Sequence, residues 1–347
     1  MTGPFKGECQ VRAVHVQDGV VYIDLPTNAE TKSKAIQSLF WNSRQSHTVV
    51  QAEPLQNESS LVRYRVLRQL TQDLPEAGVS ASLSGWLGSK PEDFGLANQY
   101  SIVTLPNGTK GWFFDNNTEN WVIHIHGRRA GKGETLRNLQ QFADLGYKQY
   151  VMSMKTDPKP DGLGKKVSKL GQNEWSEIEE AVQLANRAGA KSIILFGWSQ
   201  GAMISGLFLT RSPQARFVTG AIFDSPLLDY RNTMRFQAER SGYDRVLGDR
   251  VVDAIRDSKL IRLLGYRNVD VDQISLVGDT LLPQVPVLVL YSMNDGHVAI
   301  DDVQRFAEIN SAVSLVEIAQ ARHCRLFNED QAKYQGAISY WLKANQI

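Results

Sequence analysis

From about residue 100 onward, short apolar runs alternate with stretches whose apolar positions recur every three or four residues. WVIHIHG (121–127), QYVMSM (149–154), SIILFG (192–197), VTGAIFD (218–224), VPVLVLYS (285–292) and SLVEIA (314–319) read as strands. GETLRNLQQFADLGY, EWSEIEEAVQLANRAGA, QGAMISGLFLTRS and DDVQRFAEI, lying between them, read as helices, and NEDQAKYQGAISYWLKAN closes the chain as another. Strands this uniformly apolar need cover on both faces, and strand–helix alternation supplies it. The pattern predicts an α/β fold: a mainly parallel, twisted sheet with helices on both faces. YSIVTLP and GWFFD flank the turn NGTK, an Asn-Gly hairpin signal.

Two stretches depart from this rhythm. Residues 1–95 are polar and β-rich, with VRAVHV and GVVYIDL forming a hairpin around QDG. SLVRYRVLRQL, further along, fits either a strand or a helix. Residues 226–284 are mostly helical in character and too long for a simple crossover, so they read as an inserted cap. The expected organisation is an N-terminal β-rich extension (1–95), then a catalytic domain (96–347) carrying a cap at about 226–284.

Composition changes this picture little, with 42% hydrophobic and 22% charged residues. A net charge of +1 provides no bulk field for nucleic acid or an anionic membrane surface, and neither is expected as a partner. Cys9 and Cys324 stand far apart with no CxxC, which argues against a disulfide framework or a cysteine zinc site. Two free thiols in a reducing compartment are expected, with no metal and no cofactor. No run is long enough to span a bilayer, and the N-terminus lacks the apolar stretch of a signal peptide, so the expected location is the cytoplasm. Oligomeric state is not legible.

The chemistry concentrates at Gly197-Trp198-Ser199-Gln200-Gly201, where SIILFG gives way to a helix. G-x-S-x-G at a strand-to-helix turn exposes a serine at the carboxyl edge of a sheet. The turn is so sharp that residues two before and two after the serine need to be glycine. A serine hydroxyl becomes a nucleophile only when a base takes its proton and a third group orients that base. With this kind of turn the chain order is serine, acid, histidine, which removes His15, His47, His124 and His126 from the six histidines. His323, between the last strand and the last helix, is the first choice as base, and His297 the second. Asp295, after VPVLVLYS, is the first choice as orienting acid, with Asp224 as runner-up; Asp301 and Asp302 are read as caps of the next helix. Backbone N–H groups of Gln200 and Arg128 are expected to form an oxyanion hole, with His126 a packing and hydrogen-bonding residue.

HIHGRRAG, FGWSQGA, YSMNDGHV and ARHC, in that order, resemble the α/β-hydrolase superfamily. DGLGKKVSKLGQNEWSEIEEAV, GWSQG and DSPLLDYRNTM are similar to a group of largely uncharacterised bacterial members, most closely over residues 90–347. The resemblance implies Ser199 as nucleophile, His323 as base, Asp295 as its orienter, and Arg128 and Gln200 as oxyanion donors. It implies a carboxylic ester, thioester or amide substrate, with esterase the first choice and peptidase the catalytic alternative. Relatives often carry glycine where this chain has Ala202 and methionine where it has Gln200. They also tend to carry an N-terminal anchor or signal, which makes a membrane-anchored or exported location the alternative to the cytoplasm. A non-catalytic binding protein on the same scaffold is the alternative of a different class.

GRRAGKGET fails as a phosphate-binding P-loop on spacing, since His126 and Gly133 stand where glycine and Ser/Thr are required. Arg128, Arg129 and Lys132 read as a solvated basic loop, with attraction of an anionic substrate as the alternative. Arg231, Arg235, Arg240, Arg245 and Arg250 read as a solvated helix face, and Trp198 as sheet packing.

Overall fold

A computed structural model of the chain describes residues 9–28, 31–54, 60–165, 168–257, 269–278 and 285–347. The chain divides into two compact units, Met1–Phe94 with Asn328–Asp330, and Gly95–Phe327 with Gln331–Ile347.

Among the described residues the first unit contains seven strands: β1 (Cys9–Gln10), β2 (Ala13–Gln17), β3 (Val20–Pro26), β4 (Gln37–Trp41), β5 (Ser46–Ala52), β6 (Leu61–Gln69) and β7 (Ser80–Ser84). They pair antiparallel in the order β1-β7-β4-β5-β6-β3-β2. The stretch compatible with strand or helix is β6, and its period is two: Val62 and Tyr64 are buried while Arg63 and Arg65 are exposed. Burying one face settled what propensity left open. The core of this unit gathers Ile23, Leu25, Leu39, Trp41, Val50, Val62 and Tyr64.

The second unit is built on an eight-stranded mixed sheet of β8 (Ser101–Thr104), β9 (Lys110–Phe114), β10 (Asn120–Ile125), β11 (Lys148–Val151), β12 (Ser192–Trp198), β13 (Gly220–Asp224), β14 (Val287–Tyr291) and β15 (Val313–Glu317). Its order is β15-β14-β13-β12-β10-β11-β9-β8; β10 to β15 run parallel, and the β8–β9 hairpin adds antiparallel at the β11 edge. Among the described residues the helices are α1 (Leu136–Asp144), α2 (Glu177–Arg187), α3 (Gln200–Arg211), α4 (Tyr230–Arg240), α5 (Arg245–Asp257), α6 (Asp301–Ile309), the short α7 (Leu326–Glu329) and α8 (Gln331–Ala344). Alternation along each buried strand sorts side chains to two faces. Ile193 and Leu195 share a core with Ile178 and Val182 of α2 and Met203 and Leu207 of α3. Phe196 faces the other way and meets Phe142 of α1 edge-on, and α1 is tied to α8 through Asn138 and Tyr334. The sheet is thus covered on both sides.

The strand order reverses at β10, which lies between β11 and β12. Chain segments leaving the carboxyl ends of β10 and β12 diverge there and open a crevice, the place where ligands bind in open sheets of this kind. Both the loop after β10 and Ser199 after β12 lie at that crevice.

Helices α4 and α5 lie between β13 and β14, where the sequence suggests a cap; part of that expected cap, residues 258–268 and 279–284, lies outside the described residues. Arg240, Arg245 and Arg250 are exposed, as a solvated helix face requires, but Arg231 and Arg235 are partly buried and paired. Arg231 bonds Asp249, Asp253 and Asp272 at 3.1, 3.1 and 2.7 Å, and Arg235 bonds Asp249 at 2.9 Å. These bonds link α4 to α5 and to the segment around Asp272. A helical pattern shows which face a charge occupies, not which carboxylates another element brings to it. Asp301 and Asp302 also differ from expectation: Ile300 holds the cap position, and the two aspartates occupy the first turn. Asp302 is buried there, accepts from Asn232 at 2.9 Å, and burial pushes its pKa up to about 6.

Candidate active site

Ser199 sits between β12 and α3 with φ +50° and ψ −113°. That conformation mirrors an extended one and is sterically open only to glycine, so a side chain there is held under strain. Its neighbours explain how the chain holds it. A Cβ on Gly201 would collide with the Ile125 and His126 carbonyl oxygens, and one on Gly197 would collide with the backbone of Gly201 and Ala202. The Ser199 N–H donates to the Asp224 carbonyl at 2.9 Å, and Trp198 is fully buried, stacked on Phe196 at 4.1 Å. Close packing on both sides fixes the turn.

The structure brings Ser199, His323 and Asp295 together. His323 Nε2 is 2.8 Å from Ser199 Oγ, and Nδ1 is 2.8 Å and 3.0 Å from the two oxygens of Asp295. Asp295 is buried, and its Oδ1 also accepts the N–H groups of His297 and Val298 at 2.9 and 3.1 Å. A carboxylate can only accept, so the proton of a neutral His323 belongs on Nδ1 and the lone pair on Nε2 faces the serine hydroxyl. Burial works against charge on His323, but the bond to Asp295 and the field of nearby carboxylates outweigh it and raise its pKa. The imidazolium is therefore favoured once a proton arrives.

His297 does not contact the serine as a base would. Its ring stacks on His323 at 5.0 Å between centroids and 19° between planes. Burial, and then the charge of His323, lower its pKa, so it stays neutral beside a protonated neighbour. Asp224, the runner-up acid, lies at the end of β13 and accepts from Tyr334 Oη at 2.7 Å and Ser225 Oγ at 2.8 Å. Burial pushes its pKa up to about 6.

Arg128 and Gln200 line one cavity of about 430 Å³ with Ser199 and His323. Gln200 is the first residue of α3, where a backbone N–H has no acceptor in a preceding turn. Its side chain turns aside to donate to Tyr230 Oη at 2.9 Å. On the other loop, the buried His126 faces two acceptors, the Gly127 carbonyl through Nδ1 and Asp157 through Nε2, each at 2.8 Å. Only the imidazolium donates to both; burial opposes its charge, and Asp157 prevails, raising the pKa. In a trans peptide the N–H points opposite the preceding C=O. By gripping the Gly127 carbonyl, His126 aims the Arg128 N–H away from itself. Glu134 Oε2 accepts the Gly127 N–H at 2.5 Å and holds the other side of the same loop.

Asp157 and Glu134 had no signal in the sequence, because their role depends on loops that meet only in the fold. Lys132 differs from the expected solvated loop: it is buried, pairs with Asp161 at 3.0 Å and lies 4.6 Å from the centroid of the Trp112 ring. Arg128 and Arg129 are exposed. Cys9 and Cys324 are both buried and are not joined in a disulfide, and burial raises the Cys324 pKa well above the ordinary thiol value. Among the described residues no group of histidines, cysteines and carboxylates could hold a metal ion, and no helix is long and apolar enough to cross a membrane.

No protein-family profile and no curated protein matches the sequence. Solved structures do match the fold. An esterase of Pyrococcus furiosus, Pf2001, aligns with a TM-score of 0.55 at 19% identity, over 74% of this chain and 96% of its own. DcsB, solved in complex with its substrate analogue, aligns with a TM-score of 0.51 at 14% identity, over 71% of this chain and 99% of its own.

Proposed function

We propose that this chain, which has the α/β-hydrolase fold, is a serine hydrolase that cleaves a carboxylic ester or thioester through an acyl-enzyme. The observation that carries this reading is the continuous Ser199–His323–Asp295 hydrogen-bonded line at the crevice. Ser199 Oγ attacks the carbonyl carbon as its proton passes to His323 Nε2, and Asp295 stabilises the imidazolium. The carbonyl oxygen becomes an oxyanion bonded by the N–H groups of Arg128 and Gln200, each such donor worth about 10²–10³ in rate. Collapse expels the alcohol or thiol, which takes the proton from His323. Water then gives a proton to His323 as it attacks the acyl-enzyme, and the bond from the acyl carbon to Ser199 Oγ breaks as His323 returns that proton to the serine, which releases the acid. His126 and Glu134 act through the loop, as positioning residues.

A fluorophosphonate probe should label the protein on Ser199, as read by mass spectrometry of the labelled peptide. A protein that labels nowhere, or elsewhere, is not this enzyme. p-Nitrophenyl esters of graded chain length set against aminoacyl-nitroanilides separate esterase from peptidase on the same residues.

The pH dependence follows from His323. Only the neutral imidazole accepts the serine proton, so kcat/KM falls as pH drops through its pKa. That pKa is raised, so the acid limb should have its midpoint above 6.5, the ordinary histidine value. A midpoint clearly below 6.5 would assign the limb to another group.

A further inference from the structure

A second cavity, of about 560 Å³, adjoins the one containing Ser199, and the two share Gly127, Arg128 and Gln200 in their walls. Their linings differ in chemistry. The Ser199 cavity is bounded by Leu227, Tyr230, Met234 and Val298 and suits an apolar group. The second is bounded by five arginine and lysine side chains (Arg128, Arg129, Lys132, Lys159 and Lys165), besides His126, against three carboxylates. All three carboxylates are engaged within the protein. Asp157 accepts from His126 and from the Met154 N–H, each at 2.8 Å. Asp161 pairs with Lys132. Glu174 accepts from Ser168 Oγ and from the N–H groups of Lys169 and Gly171 at 2.6–3.0 Å. Arg129, Lys159 and Lys165 are exposed and make no ion pair among the described residues. A chain of net charge +1 therefore concentrates uncompensated positive charge at one cavity beside its serine.

Resting on the hydrolase reading, we infer that the substrate is an anionic ester, carrying a carboxylate or phosphate that occupies this second cavity while an apolar portion occupies the first. The shared wall is where the carbonyl oxygen binds, so one molecule reaches both cavities from the reacting carbon. Low-dielectric walls focus the field of clustered charges and raise the local concentration of a complementary ligand.

The test compares esters on one frame: 4-acetoxybenzoate and 4-acetoxyphenyl phosphate against neutral 4-acetoxybenzamide, and the p-nitrophenyl monoester of adipic acid against that of adipic acid monoamide. Each rate is divided by that ester's hydroxide-catalysed rate, to remove differences in intrinsic reactivity. In at least one set the anionic ester should show kcat/KM about tenfold above its neutral counterpart, shrinking severalfold in about 0.5 M salt, where exposed charges are screened. The ratio should fall toward one in the combined Arg129→Gln, Lys159→Gln, Lys165→Gln variant. Which set responds identifies the acid and the side of the ester that bears it. Equal rates for charged and neutral esters, or a preference that survives in the triple variant, overturn the inference while the hydrolase reading stands. No turnover of any ester together with no fluorophosphonate labelling overturns both.

Discussion

Ser199→Ala should lower kcat on any ester substrate by about 10⁶-fold, the size of loss typical when a nucleophile is removed from a unit of this kind. Among the described residues, Ser199 Oγ is the hydroxyl bonded to His323 Nε2, at 2.8 Å, while the neighbouring Ser225 Oγ is engaged with Asp224 and the Cys324 N–H. Stability should change by less than about 1 kcal/mol, because alanine keeps the Cβ and loses one hydrogen bond at the edge of a cavity. Ser199→Gly separates function from strain. Glycine adopts φ +50°, ψ −113° freely, which releases about 1–3 kcal/mol of conformational strain. Against that stands a loss of about 0.5–1 kcal/mol from the more flexible unfolded chain. The glycine variant should therefore be equally inactive and unfold at a higher temperature than the alanine variant. Activity within tenfold of the parent in either variant, or a glycine variant that melts below alanine, would contradict the role of this turn.

The strand-to-helix turn at Ser199 was legible because its requirements are local. Gly197 and Gly201 follow from the clash each would otherwise make within a few residues or with the adjoining strand, and the apolar run before Ser199 marks a buried strand. Ser199, Asp295 and His323 could be chosen from chain order and element type alone, since each stands just past a strand at the same end of the sheet. What escaped was everything that depends on one loop meeting another. Lys132 looked like its neighbours Arg128 and Arg129, yet Asp161 and the Trp112 ring hold it inside. Arg231 looked solvated until three aspartates from α5 and the segment near Asp272 surrounded it. His126 was recognisable as a hydrogen-bonding residue, but the charge implied by two acceptors required the Asp157 loop. Periodicity reports the environment of a face; it carries no information about the partner delivered by a distant segment.

Asp295→Asn should cost about 10⁴ in kcat while leaving the fold intact, through the position of a single proton. The side chain at 295 is oriented by its other bonds: Oδ1 accepts the N–H groups of His297 and Val298. An asparagine keeps those two bonds only by leaving its oxygen there, which places its NH₂ where Oδ2 now lies, 2.8 Å from His323 Nδ1. That amide donates, so Nδ1 must become the acceptor and the ring proton moves to Nε2. There it points at Ser199 Oγ, and the imidazole can no longer accept the hydroxyl proton. Turning the amide over restores the tautomer but sets the N–H groups of His297 and Val298 against an NH₂, and the buried one at Val298 alone costs about 1–3 kcal/mol. Asp224→Asn provides the contrast, because Asp224 bonds Tyr334 and Ser225 rather than the imidazole. It should lower kcat less than about tenfold, since neither tautomer of His323 depends on it. Measured side by side on one ester, the larger loss must fall at 295; a larger loss at 224 would make that residue the orienting acid and undo the proposed site.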